Sequence, residues 1–165
     1  MKNLDEFIEY YDSPIGILKI NANANELSAV VFVDDIQQSA KPNAATNMTK
    51  IQLAEYFAGT RQQFDLPIAV KGTDFQRQVW QQLRRIPYGK TSSYQDIARQ
   101  INNPKAVRAV GSANGKNPLT IVVPCHRVIG ADGSLTGYAW GVSRKAQLLE
   151  LEKTHSRIQL KKQGD

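Results

Sequence analysis

The chain contains one cysteine, and it stands in the run Ile121-Val122-Val123-Pro124-Cys125-His126-Arg127-Val128-Ile129. An apolar stretch leads into a proline bend and delivers a thiol and an imidazole side by side. A thiol is a weak nucleophile until it loses its proton, and a nearby imidazole with a cation such as Arg127 favours the thiolate. The run therefore fits nucleophilic chemistry at sulfur. An arbitrary Cys-His pair is more often a buried cysteine beside a core or surface histidine, because adjacency in sequence does not make a dyad.

An imidazole that acts as a base needs a partner to orient it and balance its charge. The last helix, predicted near Val142 to Lys153, offers Glu152, four residues after Leu148 and three after Leu149, at the margin of the apolar face. Glu150 points farther round that helix, and a carboxylate at such a margin ordinarily reaches solvent. The segment Thr136-Gly137-Tyr138-Ala139-Trp140-Gly141 is either a wall for a flat base or a packed hairpin with two amphipathic aromatics. Asn117-Pro118 is either a simple loop or a hinge whose amide ties two segments together.

These residues need elements to hold them. Phe7–Tyr11, Ile15–Ala22 and Leu27–Val33 read as three strands of an antiparallel meander, parted by Asp12-Ser13-Pro14 and Asn23-Ala24-Asn25-Glu26. Ser39–Thr49 reads as a polar loop, a helix is expected from about Asn47 to Ala58 with Gly59 as its stop, and residues 60–72 form a connector. Thr73-Asp74-Phe75-Gln76 is a capping box ahead of a helix that Ile86-Pro87 ends. Ser92-Ser93-Tyr94-Gln95 opens a short helix with Tyr94, Ile97, Ala98 and Ile101 on one face. Asn103 as cap and Pro104 as first residue start a third helix that runs to about Asn114. The pair makes a helix-turn-helix candidate. Its second member presents Lys105 and Arg108 among Ala106, Ala109, Gly111, Ser112 and Ala113, small residues that suit either close approach to DNA or packing inside the core.

The chain has 165 residues, 41% hydrophobic and 22% charged, enough for one or two small globular units. Its net charge of +6 is unevenly spread: residues 1–71 carry −3 and residues 72–165 carry +9. A surplus of that size draws polyanions, or simply keeps a surface soluble. One cysteine excludes an internal disulfide, and two histidines are too few for a structural Cys/His zinc site, so no metal is expected. The longest apolar run, Ala29–Val33, is five residues, far short of the roughly 20 of a membrane span. The acidic opening Met1–Glu6 predicts no signal peptide, and a cytosolic protein is the expectation.

The motifs together resemble the O6-alkylguanine-DNA alkyltransferases. Pro124-Cys125-His126-Arg127-Val128, with Asn117-Pro118 before it and Gly137-Tyr138 and Lys145–Glu152 after it, is similar to that family's active-site signature. Phe75-Gln76, Val79-Trp80, Ile86-Pro87-Tyr88-Gly89, Ser93-Tyr94 and Arg108-Ala109-Val110-Gly111 match its helix-turn-helix domain in order and spacing. Ser13-Pro14-Ile15-Gly16, Glu55-Tyr56-Phe57 and Leu66-Pro67 extend the likeness through the first part.

The resemblance implies a two-domain α+β chain. Residues 1–71 would be an N-terminal antiparallel sheet with a helix, ribonuclease-H-like, and residues 72–165 a mainly helical domain with a winged helix-turn-helix-like motif. It implies a suicide repair protein that enters the minor groove of duplex DNA, flips an alkylated guanine, and transfers the alkyl group from O6 to Cys125, without a cofactor. His126 would take the thiol proton through a water, Glu152 would hold His126, and Asn117 would be the hinge. Arg108 would fill the gap left by the base and Tyr94 would crowd the neighbouring phosphate and bond the guanine. The stretch from Ala106 to Ala113, with Ala109, Gly111 and Ser112, would lie along the DNA. Tyr94, Val128, Tyr138, Ala139 and Trp140 would line the pocket, the last two at positions where the family varies. The implied protein is a monomer in solution, with cooperativity on DNA and action on O4-alkylthymine left open.

Some relatives bind zinc in the first domain, which the lack of cysteine there makes unexpected here, and others carry a transcription-activating domain for which the chain is short. Two readings compete: a non-catalytic helix-turn-helix regulator and a cysteine hydrolase. The first is weakened by the few long hydrogen-bonding side chains between Pro104 and Asn114, the second by the adjacency of Cys125 and His126.

Overall fold

The computed structural model describes residues 6–164; residues 1–5, on which the signal-peptide expectation rests, lie outside the described residues. The chain forms two compact units. One runs to Val70 and takes in Pro118–Val122; the other holds Lys71–Asn117 and the chain from Val123 onward.

In the first unit, β1 (Phe7–Ser13), β2 (Gly16–Ala22) and β3 (Leu27–Val33) form an antiparallel sheet in the order β1-β2-β3. The period-two pattern of β2 sends Leu18, Ile20 and Ala22 into the core, where Val30 and Phe32 of β3 join them. Helix α1 (Ala44–Ala58) covers that face with Leu53 and Tyr56. It starts three residues earlier than its apolar spacing predicts, because Asn43 caps it: the Thr46 N–H donates to Asn43 Oδ1 at 2.9 Å and the Asn43 N–H to Thr46 Oγ1 at 2.9 Å. The expected polar loop is thus partly helix. Lys41 also pairs its backbone with Ile8, at 2.9 and 2.8 Å, on the outer edge of β1.

The other edge, on β3, is covered by two distant pieces of chain. Leu27 exchanges bonds with Pro67 and Ala69, both at 2.8 Å, and Val30 with Pro118 and Thr120, at 2.9 and 3.1 Å. Both are parallel bridges, and they leave no bare strand edge at those points. Residues 118–122 are therefore not a plain loop but a short strand-like excursion into the first unit.

In the second unit, α2 (Asp74–Leu83), α3 (Tyr94–Gln100) and α4 (Val107–Gly115) pack on one another, and α5 (Val142–Gly164) follows. The α2 capping box forms between Thr73 and Gln76. In α3 the cap is Ser93 with Asp96, one residue on from the predicted Ser92 and Gln95. Helix α4 begins later than its Asn103-Pro104 signal predicts. Asn103 accepts from the Ala106 N–H at 3.0 Å, closing a turn, and helical bonding starts with the Val110 N–H to Ala106 O at 2.8 Å. Trp80 of α2 fixes α4 by donating Nε1–H to Ala113 O at 2.8 Å. Among the described residues no helix is long and apolar enough to cross a membrane.

Candidate active site

The Ile121–Ile129 run folds as its proline bend requires. Pro124 leads into a single 3₁₀ turn, Cys125–Arg127, and then β5 (Val128–Ile129). β5 pairs in parallel with β4 (Ser92–Ser93), Ser92 opposite Val128 and Ser93 opposite Ile129. Since α3 starts at Tyr94, this two-residue ladder sets the first residue of α3 beside the turn that carries the thiol.

The turn is buried throughout, with Cys125 4% exposed and His126 and Glu152 at 0%. His126 Nε2 lies 2.6 Å from Glu152 Oε2. A carboxylate only accepts, so Nε2 carries a proton, and in the neutral ring Nδ1 keeps a lone pair. Nδ1 has no hydrogen-bond partner among the described residues. Glu150 is exposed and accepts from the Thr154 hydroxyl at 3.2 Å. Glu152 is the carboxylate that reaches the imidazole.

Arg127 is placed differently from the expectation that it would sit by the thiol. Its Nε donates to Glu152 Oε1 at 2.8 Å, Nη2 to Oε2 at 3.0 Å and Nη1 to Ile86 O at 2.8 Å. The cation acting on the sulfur is Lys145, whose charge favours the thiolate together with a hydrogen bond from Asn117. Burial outweighs both and pushes the Cys125 thiol up to about 11. Burial likewise holds His126 below its ordinary range, against the pull of Glu152. At neutral pH the site holds a thiol and a neutral imidazole.

Lys145 is the residue to which the sequence alone assigned no task. Its side chain is fully buried, with Nζ 2.8 Å from Thr136 O and 3.5 Å from the Tyr94 hydroxyl, and no carboxylate pairs with it among the described residues. Tyr94 donates its own hydroxyl to Thr136 O at 3.0 Å. Helical spacing was the available signal, because Lys145, Leu148 and Glu152 fall at i, i+3 and i+7 of one stripe.

Tyr138 is buried, and its hydroxyl has no hydrogen-bond partner among the described residues. Ala139 is exposed and Trp140 half-buried. Asn117 donates Nδ2–H to Val123 O at 2.8 Å, and so clasps the two ends of the 118–122 excursion. On α4, Arg108, Ala109 and Ser112 are exposed, Ala106 and Gly111 half-buried. Ala113 faces the other way: it is 3% exposed, against α2, and serves helix packing. No group of three or more His, Cys, Asp or Glu side chains among the described residues is arranged to hold a metal ion.

The electrostatics make stability fall at both ends of the pH range. Glu152, held at about 2 instead of 4.5 by His126 and Arg127 against its burial, contributes stability that is complete above pH 4.5 and is lost as pH falls toward 2. Neutral His126 adds a loss in the same direction below 6.5. At the other end the folded chain keeps protons on Cys125, to about 11, and Tyr88, to about 12, that the unfolded chain releases from about pH 9 and 10. Lys145, lowered by its burial, works the other way up to 10.5, so urea midpoints are expected to decline below about pH 6.5 and above about pH 10.5.

The comparisons with known proteins follow this architecture. The profile of the 6-O-methylguanine DNA methyltransferase ribonuclease-like domain matches residues 7–70, and that of the DNA-binding domain of the same family matches residues 74–154. The chain belongs to the 6-O-methylguanine DNA methyltransferase family. It is 48% identical over 156 residues to a methylated-DNA–protein-cysteine methyltransferase of Mycolicibacterium paratuberculosis, covering 90% of this chain and 94% of that one. The constitutive protein of that name from Bacillus subtilis is 54% identical over 122 residues, 73% of each chain. Among solved structures, Mycobacterium tuberculosis O6-methylguanine methyltransferase superposes with a TM-score of 0.83 at 45% identity, over 91% of this chain and 94% of that one. The Mycobacterium tuberculosis OGT solved in complex with DNA gives 0.82 at 47% identity, over 88% and 92%.

Proposed function

We propose that this chain repairs DNA by direct reversal, moving an alkyl group from O6 of guanine in duplex DNA to Cys125 once and irreversibly. The observation that carries the reading is a neutral buried thiol in the same turn as a neutral imidazole whose far nitrogen is held by Glu152 at 2.6 Å. A thiol held at about 11 cannot stand as a thiolate at neutral pH. Its proton must leave as the sulfur attacks, and His126 Nδ1, which keeps its lone pair, accepts it through a water. The S–C bond forms as the C–O6 bond breaks. The bonding pair leaves with the guanine, which takes up a proton, so that in net terms the thiol hydrogen replaces the alkyl group on the base.

The damaged base reaches Cys125 by leaving the stack, which costs a few kcal/mol and less for damaged or mispaired bases. Arg108, exposed on α4 beside Ala109 and Ser112, fills the gap from the minor-groove side, while the small neighbours let the helix approach the backbone. Tyr94, Tyr138 and Val128 line the pocket, with Ala139 and Trp140 at its rim, and Asn117 is the hinge between α4 and the thiol-bearing segment. Residues 72–165 carry both DNA binding and transfer. The protein works as a cytoplasmic monomer.

Incubation with a duplex containing O6-methylguanine is expected to add one methyl mass to the peptide bearing Cys125, at no more than one equivalent. Repeated turnover, or a footprint at one preferred sequence with no mass added, would overturn the reading. Affinity for DNA is expected to fall as salt rises, since phosphate neutralisation releases counterions.

A further inference from the structure

We propose, on the basis of that reading, that Arg127 is a positioning residue of the transfer: it clamps the Glu152 carboxylate, shares its charge, and thereby sets how strongly His126 holds a proton. Oε1 of Glu152 accepts from Arg127 Nε at 2.8 Å and from the Gly89 N–H at 3.1 Å; Oε2 accepts from His126 Nε2 at 2.6 Å and from Arg127 Nη2 at 3.0 Å. Four donors occupy roughly the four lone-pair directions a carboxylate offers. The fork is itself fixed, since Nη1 donates to Ile86 O at 2.8 Å and the guanidinium lies 5.6 Å from the centre of the Tyr88 ring. Planar, two-pronged recognition of this kind is what a guanidinium does and an ammonium does not.

Consider the same site without Arg127. Glu152 would lose the cation bonded to both of its oxygens, and the imidazole beside it would be drawn toward its charged form in the resting protein. An imidazolium cannot take the thiol proton. With Arg127 present, the Arg127–Glu152 pair is already neutral, and a standing charge on His126 would add to the buried charge of Lys145. His126 stays neutral until Cys125 gives up its proton, when the new thiolate supplies the balancing negative charge. The charged groups acting on His126 are Glu152 and Lys145 from α5 and Arg127 from its own turn, with Tyr88, after α2, against Glu152 and Arg127. Among these groups only Arg127 is bonded to both oxygens of Glu152.

The test is a titration of the His126 ring nitrogens by NMR in the DNA-free protein, with wild type, Arg127→Gln and Arg127→Lys, alongside the pH dependence of single-turnover methyl transfer. In the wild type the ring is expected neutral, with the proton on Nε2, at pH 7. Arg127→Gln is expected to raise its titration by about one to three pH units, the range of a neighbouring charge, and to move the acid limb of the rate profile up by the same amount. Arg127→Lys, a point contact that loosens the carboxylate, is expected to move both in the same direction by less. An imidazolium in the wild type at pH 7 would overturn the proposal. So would a folded Arg127→Gln that titrates as wild type or, if that variant does not fold, an Arg127→Lys that does. The titration needs no DNA, so a wild type that transfers no methyl group would sink the functional reading and leave the titration to judge Arg127 separately.

Discussion

Glu152→Gln is expected to remove about 3–5 kcal/mol of stability and to slow alkyl transfer by about 10²–10⁴-fold. The substitution is nearly isosteric, which makes the loss informative. Both Arg127 and His126 are buried, and Glu152 is the only anion either one touches among the described residues. Taking the charge away leaves the guanidinium uncompensated in the interior, where breaking one side of a buried pair does most damage. A Gln amide also has one oxygen in place of two. Whichever way it is turned, its NH₂ meets donors: Arg127 Nε and the Gly89 N–H on one side, or His126 Nε2 and Arg127 Nη2 on the other.

The catalytic loss has a separate origin. Without the carboxylate nothing fixes the proton on Nε2, so the ring is free to carry it on Nδ1 and lose the acceptor role proposed for it. Urea unfolding and single-turnover transfer separate the two effects, and Glu152→Asp, which keeps the charge on a shorter arm, is expected to recover more stability than rate. A Glu152→Gln variant as stable and as fast as wild type would show that the Glu152 network is dispensable for both.

Local features of this fold were legible in the sequence and long-range ones were not. The alternation of Leu18, Ile20 and Ala22 and the capping box at Thr73 depend on neighbours a few residues away, and the meander and α2 form as that spacing predicts. The excursion at 118–122 was invisible because Val30 and Thr120 are 90 positions apart and a parallel bridge leaves no mark in a short window. Asn103-Pro104 misled for the opposite reason: a good cap signal also makes a good turn, and the turn forms.

The site divides in the same way. The thiol, the imidazole and the carboxylate carry their chemistry in their names, and Glu152 could be placed by helical spacing. Assigning the cation needed three dimensions. Arg127 is adjacent to the thiol and imidazole in sequence but turns to Glu152, whereas Lys145, 20 positions from Cys125, supplies the charge at the sulfur. A lysine is so seldom buried without a carboxylate that composition argues against it. Its stripe with Leu148 and Glu152 said otherwise.

That burial makes Lys145→Met a variant whose stability and activity should move in opposite directions. The ammonium is desolvated, as its lowered pKa records, and the bonds it makes, to Thr136 O and weakly to the Tyr94 hydroxyl, replace only part of its hydration. Thr136 O would not be orphaned, because Tyr94 still donates to it at 3.0 Å. Methionine fills a similar volume without a charge, so folding is expected to gain about 1–3 kcal/mol. The same change removes a charge that favours the Cys125 thiolate, raising the thiol further and slowing transfer, by at most about tenfold for each pH unit of that rise. It also frees Tyr94 from one of the contacts that hold it against the Thr136 carbonyl. The measurements are thermal unfolding and single-turnover transfer at two pH values. If Lys145 only fills space, Lys145→Met will be stable and fast. If it is held at a cost to folding for the sake of the sulfur, the variant will be more stable and slow, and part of the lost rate will return as pH is raised.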